Sequence, residues 1–344
     1  MTPGPRTAGV VAVTMGEPAG IGAEIALKAW ASRQAAVPSF ALLGDPEHAA
    51  ALSTRLGLGV PVQAIGAPEE AAGVFPDALP VVPVPLAAPV APGHPSPANA
   101  RPVIAAIDLA VEYALSGRVA ALVTSPIQKE SLYGVGFDYP GHTEYLAELA
   151  GGRAIPVMML VCPGLRAVPV LVHLSLRDAI RTLTREAIVT CGVITEEALR
   201  IDFGVARPRL AVAALNPHAG EGGAMGREEI DIIDPAVATL RERGIDVIGP
   251  APADSLFHTA ARARYDAALC MHHDQALIPI KTIDFDNGVN ITLGLPFVRT
   301  SPDHGTALAI AGRGEANPAS LIAALKAAAD IAGRRRALAL PATG

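Results

Sequence analysis

The chain alternates short apolar runs with longer amphipathic segments along most of its length. Runs such as GVVAVTM (9–15) and AALVTSP (120–126) predict strands, whereas GAEIALKAWAS (22–32) repeats its apolar positions at helical spacing. The same rhythm returns in RLAVAALNPH (209–218) and DAALCMHHD (266–274). Strands that alternate with helices indicate βαβ units, so the pattern predicts an α/β fold with a mostly parallel sheet.

Two segments interrupt this rhythm and suggest how the chain divides. The segment AIPVMMLVCPGLRAVPVLVHL (154–174) contains a Pro-Gly turn and predicts two consecutive strands without an intervening helix. We therefore predict a second α/β domain over 131–300, inserted into a first domain that is formed by 1–130 and 301–344. The proline-rich segment 76–98 predicts an extended connection over the first domain.

Composition narrows the class of protein. Of the 344 residues, 51% are hydrophobic and 17% are charged, which is typical of a folded globular chain. The net charge of −6 gives no reason to expect nucleic acid or an anionic membrane as a partner. The three cysteines show no CxxC spacing, and no unbroken apolar run is long enough to span a bilayer. We therefore expect a soluble protein of the reducing cytoplasm.

Three histidines stand where strands are predicted to end. His173 follows VPVLV, His218 follows LAVAALNP and His273 follows AALCMH. Ligands of α/β sheets bind at the carboxyl ends of strands, and a catalytic metal often takes three protein ligands. The trio therefore predicts a metal site, although any one of these histidines alone could be an ordinary core or surface residue. Asp274 could orient His273 as an outer partner, or it could cap a helix.

Two further groups of polar residues suggest a site for an anion. His142 and Thr143 follow a Pro-Gly turn at the head of a predicted helix, where backbone N–H groups attract phosphate or carboxylate. Lys281, Asn290 and Arg299 are separated by short strand-like runs and could form a phosphate-binding set. Simpler interpretations stay open, because Thr143 could cap the helix and Lys281 could be a solvated charge.

The glycine-rich segment TMGEPAGIGAE (14–24) joins the first predicted strand to the first predicted helix. Its spacing matches neither the dinucleotide fingerprint G-x-G-x-x-G nor the phosphate-binding P-loop. It could present backbone N–H groups to a ligand, or it could be a tight turn that needs glycine for steric reasons. The residues that would bind a nucleotide cofactor are therefore unassigned at this stage.

Seven motifs in series resemble the 4-hydroxythreonine-4-phosphate dehydrogenase family of vitamin B6 biosynthesis. They are GEPAGIG, TSPIQKE, GHTEYLAE, LNPHAGEGGAMGREEID, GPAPADSLF, HDQALIPIK and GVNITLGLPFVRTSPDHGTALAIAG. The resemblance implies two α/β/α domains with a cleft between them, as in isocitrate and isopropylmalate dehydrogenases, and a homodimer. It implies metal-dependent oxidation of 4-phosphohydroxy-L-threonine by NAD or NADP, followed by decarboxylation to 3-amino-2-oxopropyl phosphate.

The resemblance also assigns roles to individual residues. It places the metal ligands on His173, His218 and His273, with His273 supplied by the other subunit, and the ion could be Zn, Co, Mg or Mn. It places Asp254, in PADSLF, near the metal, and Lys281 and Asp254 are alternative candidates for the general base. The substrate contacts implied by the family are His142, Thr143, Lys281, Asn290 and Arg299.

Two positions depart from the family pattern. His272 stands where tyrosine is expected, and it should not share the role of His273, because neighbouring side chains of a strand point to opposite faces. Asn287 stands where arginine is expected, which removes a cation and keeps 4-phospho-D-threonate and 4-phospho-D-erythronate open as alternative substrates. A metal-dependent hydrolase would use the same three histidines and is a more remote alternative.

Overall fold

The computed structural model describes residues 9–139 and 141–339, with the side chain of Ala35 left aside. These residues form two compact units. Unit 1 comprises the described residues up to 156 together with 295–333, and unit 2 comprises 157–294 together with the described residues from 334 onward. Each unit combines a β-sheet with helices, so the predicted α/β class is confirmed.

The regular elements of the described residues alternate between strands and helices, as the hydrophobic pattern predicts, but the proline-rich segment 76–98, predicted as an extended connection, contains the strand Leu79–Pro83. The strands are β1 Val11–Thr14, β2 Phe40–Gly44, β3 Val62–Ala64, β4 Leu79–Pro83, β5 Ala121–Thr124, β6 Val157–Cys162, β7 Leu165–Leu171, β8 Arg209–Ala213, β9 Asp246–Ala251, β10 Ala267–His272, β11 Val289–Leu293 and β12 Arg299–Pro302. The helices are α1 Gly22–Ala31, α2 Pro46–Arg55, α3 Ala71–Val74, α4 Ala100–Leu115, α5 Lys129–Tyr133, α6 His142–Leu149, α7 Leu176–Thr182, α8 Arg185–Ile201, α9 Asp234–Glu242, α10 Ala253–Leu256, α11 Thr259–Arg262, α12 His273–Ile283 and α13 Ala319–Ala339.

The sheet of unit 1 is parallel throughout, in the order β3-β4-β2-β1-β5-β12. Strands β1, β2 and β5 are buried at every position, as expected for central strands of a parallel sheet covered on both faces. Helix α4 packs its apolar stripe on this sheet through Val103, Ile107 and Ala110. Because parallel strands share one carboxyl edge, residues that follow β1, β5 and their neighbours emerge on the same side of the sheet.

The sheet of unit 2 is mixed, in the order β11-β6-β7-β10-β8-β9. Strands β6 and β7 form an antiparallel hairpin, which confirms the two consecutive strands predicted over 154–174, and β11 pairs with β6 in antiparallel fashion. The remaining neighbours, β7 with β10, β10 with β8 and β8 with β9, are parallel. Helix α8 packs closely here, since a methyl group at Gly192 would lie 2.8 Å from Leu240.

The unit boundaries differ from those predicted at 130/131 and 300/301. Segment 131–156 belongs to unit 1, because Leu132, Phe137 and Leu146 are buried in its core together with α4. The end of α13 belongs to unit 2, where Arg335 forms an ion pair with the buried carboxylate of Asp202 at 2.6 Å. Both units are formed by two separate stretches of the chain, whereas the second domain was predicted as the single range 131–300.

All three cysteines lie in unit 2 and are buried: Cys162, Cys191 and Cys270. Burial raises the pKa of Cys191 to about 12 and raises that of Cys270 as well, so the protonated thiol is strongly favoured. The thiols are therefore packing groups. No helix in the described part of the chain has both the length and the apolar character that crossing a membrane requires.

Candidate active site

Three neighbouring strands of unit 2 precede the three predicted metal ligands. Strands β7, β10 and β8 lie side by side and run parallel, so His173, His273 and His218 follow them at the same edge of the sheet. The rings of His173 and His273 are close, with 6.3 Å between their centres. Two imidazoles on one ion have ring centres roughly 5–6 Å apart, given Zn–N bonds of about 2.1 Å. The observed spacing is near that range.

The third histidine stands on an unusual backbone segment. Residues 218–222 have positive φ values of 50°, 54°, 74°, 43° and 65°, which form one turn of left-handed helix. Three of these five residues are not glycine: His218, Ala219 and Glu221. A left-handed conformation costs such residues roughly 1–2 kcal/mol each. His173 also has a positive φ of 55°, so backbone strain accompanies two of the three predicted ligands, as is common at functional sites.

A single chain does not bring the trio together. Within 9–139 and 141–339, no group of three or more imidazole, thiol or carboxyl side chains is arranged to hold an ion. The imidazole pair that lies together is His173 with His273, whereas the family resemblance implies His173 with His218 from one subunit. The side chain of His218 is 68% exposed, and its Nδ1 lies 3.5 Å from an oxygen of Glu221. The metal site stays a prediction.

The adjacent histidines at the end of β10 have different surroundings. His273 is the first residue of α12, and its Nδ1 lies 2.8 Å from Oδ1 of Asp274. This hydrogen bond from His273 lowers the pKa of Asp274. His272 is half-buried, and desolvation lowers its pKa. His272, and not Asp274, occupies the cap position of α12, so the interpretation of Asp274 as a helix cap is wrong.

The other predicted residues of unit 2 follow different elements. Asn290 lies on β11, and its buried Oδ1 accepts no hydrogen bond from the described residues. Such an atom normally has a partner, so it points to a ligand or an ordered water. Lys281 lies in the last turn of α12, with Nζ 5.1 Å from the ring centre of Phe285. Asp254 lies on the short helix α10 and is exposed.

Arg299 is the central cation of a second group of residues, which lies in unit 1. The residue is only 3% exposed and opens β12 beside β5, where its Nη2 donates to Oγ1 of Thr124 at 2.6 Å. Burial lowers the pKa of Arg299 to about 10, and the negative charge of Glu144 opposes that shift. The guanidinium is therefore charged at neutral pH although it is buried, which strongly favours an anion beside it.

His142 begins α6 and shares these surroundings. The cap residue is Gly141, and no side chain caps the helix, so the interpretation of Thr143 as a helix cap is wrong. Burial, followed by the charges of Arg299 and Lys129, lowers the pKa of His142 to about 3. The buried Nε2 of this neutral ring has no hydrogen-bond partner among the described residues. The ring and the first turn of α6 thus lie in a cationic environment that suits a phosphate.

The glycine-rich segment 14–24 serves packing at this edge of the sheet. Gly16 has a φ of +66°, and a methyl group there would lie 2.5 Å from the carbonyl oxygen of Pro126. The turn therefore lies directly against the end of β5, which supports the steric interpretation of its glycines. Glu17, in the same turn, is buried, and burial raises the pKa of its carboxyl group.

Comparison with known proteins identifies the family to which this sequence belongs. A family model described as pyridoxal phosphate biosynthetic protein PdxA matches residues 36–328. The 4-hydroxythreonine-4-phosphate dehydrogenase of Caulobacter vibrioides is 58% identical over 330 residues, which cover 94% of this chain and 98% of that protein. The chain belongs to the PdxA family. The resemblance stated from the seven sequence motifs is therefore confirmed.

Further relatives of the PdxA family agree along nearly the whole chain. The enzyme of the same name from Maricaulis maris is 55% identical over 331 residues, covering 94% of this chain and 97% of that protein. A crystal structure of 4-hydroxythreonine-4-phosphate dehydrogenase from Klebsiella pneumoniae is 39% identical, with a TM-score of 0.84, and the match covers 94% of this chain and 100% of that one. These matches also confirm the prediction of a dehydrogenase-class enzyme.

The structure of this PdxA-family chain adds residues that sequence reasoning did not single out. Thr124 orients Arg299, Lys129 contributes positive charge beside His142, and Glu144 balances the guanidinium. Lys129 lies in TSPIQKE, which the family resemblance quotes, but its spacing from the other cations gave no reason to choose it. In the sequence, Thr124 is one more residue of the apolar run that predicts a buried strand. Its hydroxyl contact is visible only in three dimensions.

One departure from the PdxA-family pattern now has a structural role. Asn287 is exposed and closes the loop after α12, where its Nδ2 donates to both carboxylate oxygens of Asp284, at 3.1 and 3.0 Å. These contacts lower the pKa of Asp284. The side chain that replaces the expected arginine is therefore engaged with its own loop.

The depressed pKa of His142 predicts a pH-dependent stability. Its folded pKa of about 3 lies below the ordinary 6.5, so the unfolded chain binds the extra proton between these values. The free energy of unfolding should therefore fall as the pH drops below 6.5, with a contribution from His142 of at most about 1.4 kcal/mol per pH unit. Urea unfolding between pH 4 and 7 should show a shallower slope for His142→Asn.

The control for this measurement is His258→Asn, which changes an exposed histidine of the same chain. That variant should keep the slope of the unmodified protein, because its exposed side chain is not part of the buried group around His142. Equal slopes for His142→Asn and the unmodified protein would contradict the assignment and attribute the acid sensitivity to other groups.

Proposed function

We propose that the chain catalyses the metal-dependent, NAD(P)-linked oxidation of 4-phosphohydroxy-L-threonine to the 3-keto acid. Loss of carbon dioxide from that acid then gives 3-amino-2-oxopropyl phosphate, within pyridoxal 5'-phosphate biosynthesis. The observation that carries the proposal is the alignment of three parallel neighbouring strands, β7, β10 and β8, each followed by a histidine at the same edge. Membership of the PdxA family supports the substrate class.

The residues of unit 2 fit a divalent ion by the chemistry of their donors. His173, His218 and His273 would hold it, and imidazole ligands suit Zn or Co while Mg or Mn stay open. A bound ion of this kind polarises a substrate hydroxyl and stabilises the charge that develops on its oxygen. Asp274 keeps the ring of His273 oriented through its 2.8 Å contact, as outer partners of ligand histidines usually do.

The residues of unit 1 fit the phosphate of the substrate. Arg299 presents a charged, buried guanidinium that Thr124 holds in one orientation, and Lys129 adds a second cation close to His142. Neutral His142 can donate or accept a single hydrogen bond through its partnerless Nε2, and Thr143 brings a hydroxyl to the first turn of α6. These groups would bind and orient the charged end of the substrate.

Two residues are candidates for the base that takes the hydroxyl proton. Lys281 stands beside Phe285 in the last turn of α12, and Asp254 is exposed on α10. A base must lie within hydrogen-bond distance of the proton that it removes. The nicotinamide of NAD or NADP, when bound, accepts the hydride that leaves the carbon. Asn290 would orient the substrate through its partnerless oxygen.

The proposal includes a homodimer in which each subunit completes the other's histidine trio. A single chain leaves large apolar side chains exposed on the elements of unit 2 that surround the histidines, which is typical of a surface that binds a partner. They are Leu174, Leu176, Ile180, Met225, Ile230, Ile278, Ile283 and Phe285. Phe285 is the most exposed of them, at 71%. A histidine trio that is incomplete within one chain agrees with a site shared between two copies.

The test of the substrate is a panel of three phosphorylated acids, followed at the NADH absorption band. The metal-loaded enzyme should reduce NAD or NADP with 4-phosphohydroxy-L-threonine and show at least a tenfold lower kcat/KM with 4-phospho-D-threonate and 4-phospho-D-erythronate. A preference for either of the two latter acids would overturn the proposed substrate. The variant Asn287→Arg restores the residue of the family pattern, and a shift of preference in that variant would assign the choice to position 287.

A further inference from the structure

The left-handed turn that carries His218 rests on a buried carboxylate. Glu229 is only 3% exposed, and its Oε1 accepts hydrogen bonds from the backbone N–H groups of Leu215 at 2.9 Å and Asn216 at 2.7 Å. Its Oε2 accepts a third bond, from Nδ2 of Asn216 at 2.9 Å. Three donors therefore satisfy one buried carboxylate just before the turn begins.

The turn itself lies directly against this carboxylate. A methyl group at Gly220 would come within 2.6 Å of Oε2 of Glu229 and within 3.1 Å of the carbonyl oxygen of Gly226. Only glycine fits at that point, so the path of 218–222 is set by the group on which it packs. A strained backbone persists only where its surroundings determine it, and here Glu229 supplies those surroundings.

We propose that Glu229 and Asn216 form a positioning relay that holds His218 in place for the metal. The relay deepens the proposed function and rests on it, because it assumes that His218 binds the metal. Both members act through the backbone and would not contact the ion. They are positioning residues, and their loss should weaken metal binding more than it weakens the fold.

The donor and acceptor pattern of the relay offers a reversal test. In Glu229→Gln, the new side-chain amide can take two orientations. In one, its NH₂ group faces Nδ2 of Asn216, so two donors meet. In the other, its NH₂ group faces two backbone N–H groups, so donors meet again. In Asn216→Asp, the new carboxylate faces the carboxylates of Glu228 and Glu229, since Nδ2 now lies 2.7 and 2.9 Å from them. In the double variant, the new amide can donate to the new carboxylate, so the bond is restored in the opposite direction.

The measurements are the Kd for Zn²⁺ alone, by competition with a chromogenic chelator, the values of kcat and KM, and urea unfolding. Each single variant should raise the Kd for Zn²⁺ by about ten- to a hundredfold, the usual effect of losing an outer partner. The double variant should bind Zn²⁺ at least about threefold more tightly than Asn216→Asp, because one carboxylate contact is relieved while that with Glu228 remains, and this recovery shows as coupling in a double-mutant cycle. We expect kcat to follow the Kd and the KM for NAD to stay unchanged.

Single variants that unfold more easily but bind Zn²⁺ with the original Kd would overturn the relay and leave Glu229 a purely structural group. If a single variant fails to fold, the double variant decides: a folded double variant that binds Zn²⁺ supports the relay, and a folded one without affinity overturns it. The matched control is Asp202→Asn, which alters another buried carboxylate of unit 2, paired with Arg335. That control should leave the Kd unchanged.

His218→Ala separates this proposal from the function on which it rests. Unchanged Zn²⁺ affinity in His218→Ala would overturn the metal role of that histidine. Lost affinity in His218→Ala together with the original affinity in Glu229→Gln would overturn the relay alone.

Discussion

Replacement of His218 by alanine should abolish metal-dependent NAD reduction and leave the fold intact. The ring is 68% exposed on the left-handed turn, so it adds almost nothing to the core, and the free energy of unfolding should change by less than about 1 kcal/mol. Loss of one of three ligands removes stabilisation of several kcal/mol, which corresponds to at least about a thousandfold in kcat. The assay is NADH formation after stripping and titration with Zn²⁺ or Co²⁺.

His258→Ala is the matched control for this variant. It removes an exposed imidazole that does not follow β7, β8 or β10, the strands that precede the three predicted ligands. It should keep the original kcat and the original metal titration. Full activity of His218→Ala after the same stripping and titration would contradict the metal role. Size-exclusion chromatography checks that both variants keep the oligomeric state of the original protein.

Replacement of Arg299 should remove the preference for a phosphorylated substrate. The guanidinium is buried, charged and oriented by Thr124, so a phosphate beside it gains a strong bidentate contact in a site of low dielectric constant. In Arg299→Met, kcat/KM for the phosphorylated substrate should fall by at least a hundredfold, while the low rate with unphosphorylated 4-hydroxy-L-threonine should change little. Arg299→Lys keeps the charge without the planar fork and should lie between the two.

Arg118→Met supplies the control for this second experiment. Arg118 also belongs to unit 1, but it forms a half-exposed ion pair with Glu69 at 2.6 Å. The control should retain the ratio of rates between the phosphorylated and unphosphorylated substrates. An equal loss with both substrates in Arg299→Met would contradict the phosphate role and indicate a general distortion of unit 1.

The sequence predicted the parts of the fold that follow from local patterns. Apolar runs and helical periodicity gave the α/β class, and the Pro-Gly turn at 163–164 gave the β6–β7 hairpin. The rule that ligands lie at the carboxyl ends of strands selected His173, His218 and His273, and the structure places the strands before them side by side.

The features that escaped prediction depend on contacts between distant segments. The boundary after residue 130 was placed too early, because only packing shows that Phe137 and Leu146 share a core with α4. The left-handed turn at 218–222 was hidden as well, since three of its five residues are not glycine and local preference opposes that conformation. It exists because Glu229 supports it from eleven residues beyond His218 along the chain.

The buried thiols of Cys162, Cys191 and Cys270 allow the opening of unit 2 to be measured by chemical labelling. A maleimide or iodoacetamide added to the native protein can react only when the region around a thiol opens, because burial both shields the sulfur and keeps it protonated. Unit 1 contains no cysteine among its described residues, so its opening is invisible to the reagent. The rate of alkylation therefore measures the opening of unit 2 alone, the unit that carries His173, His218 and His273, without any engineered label.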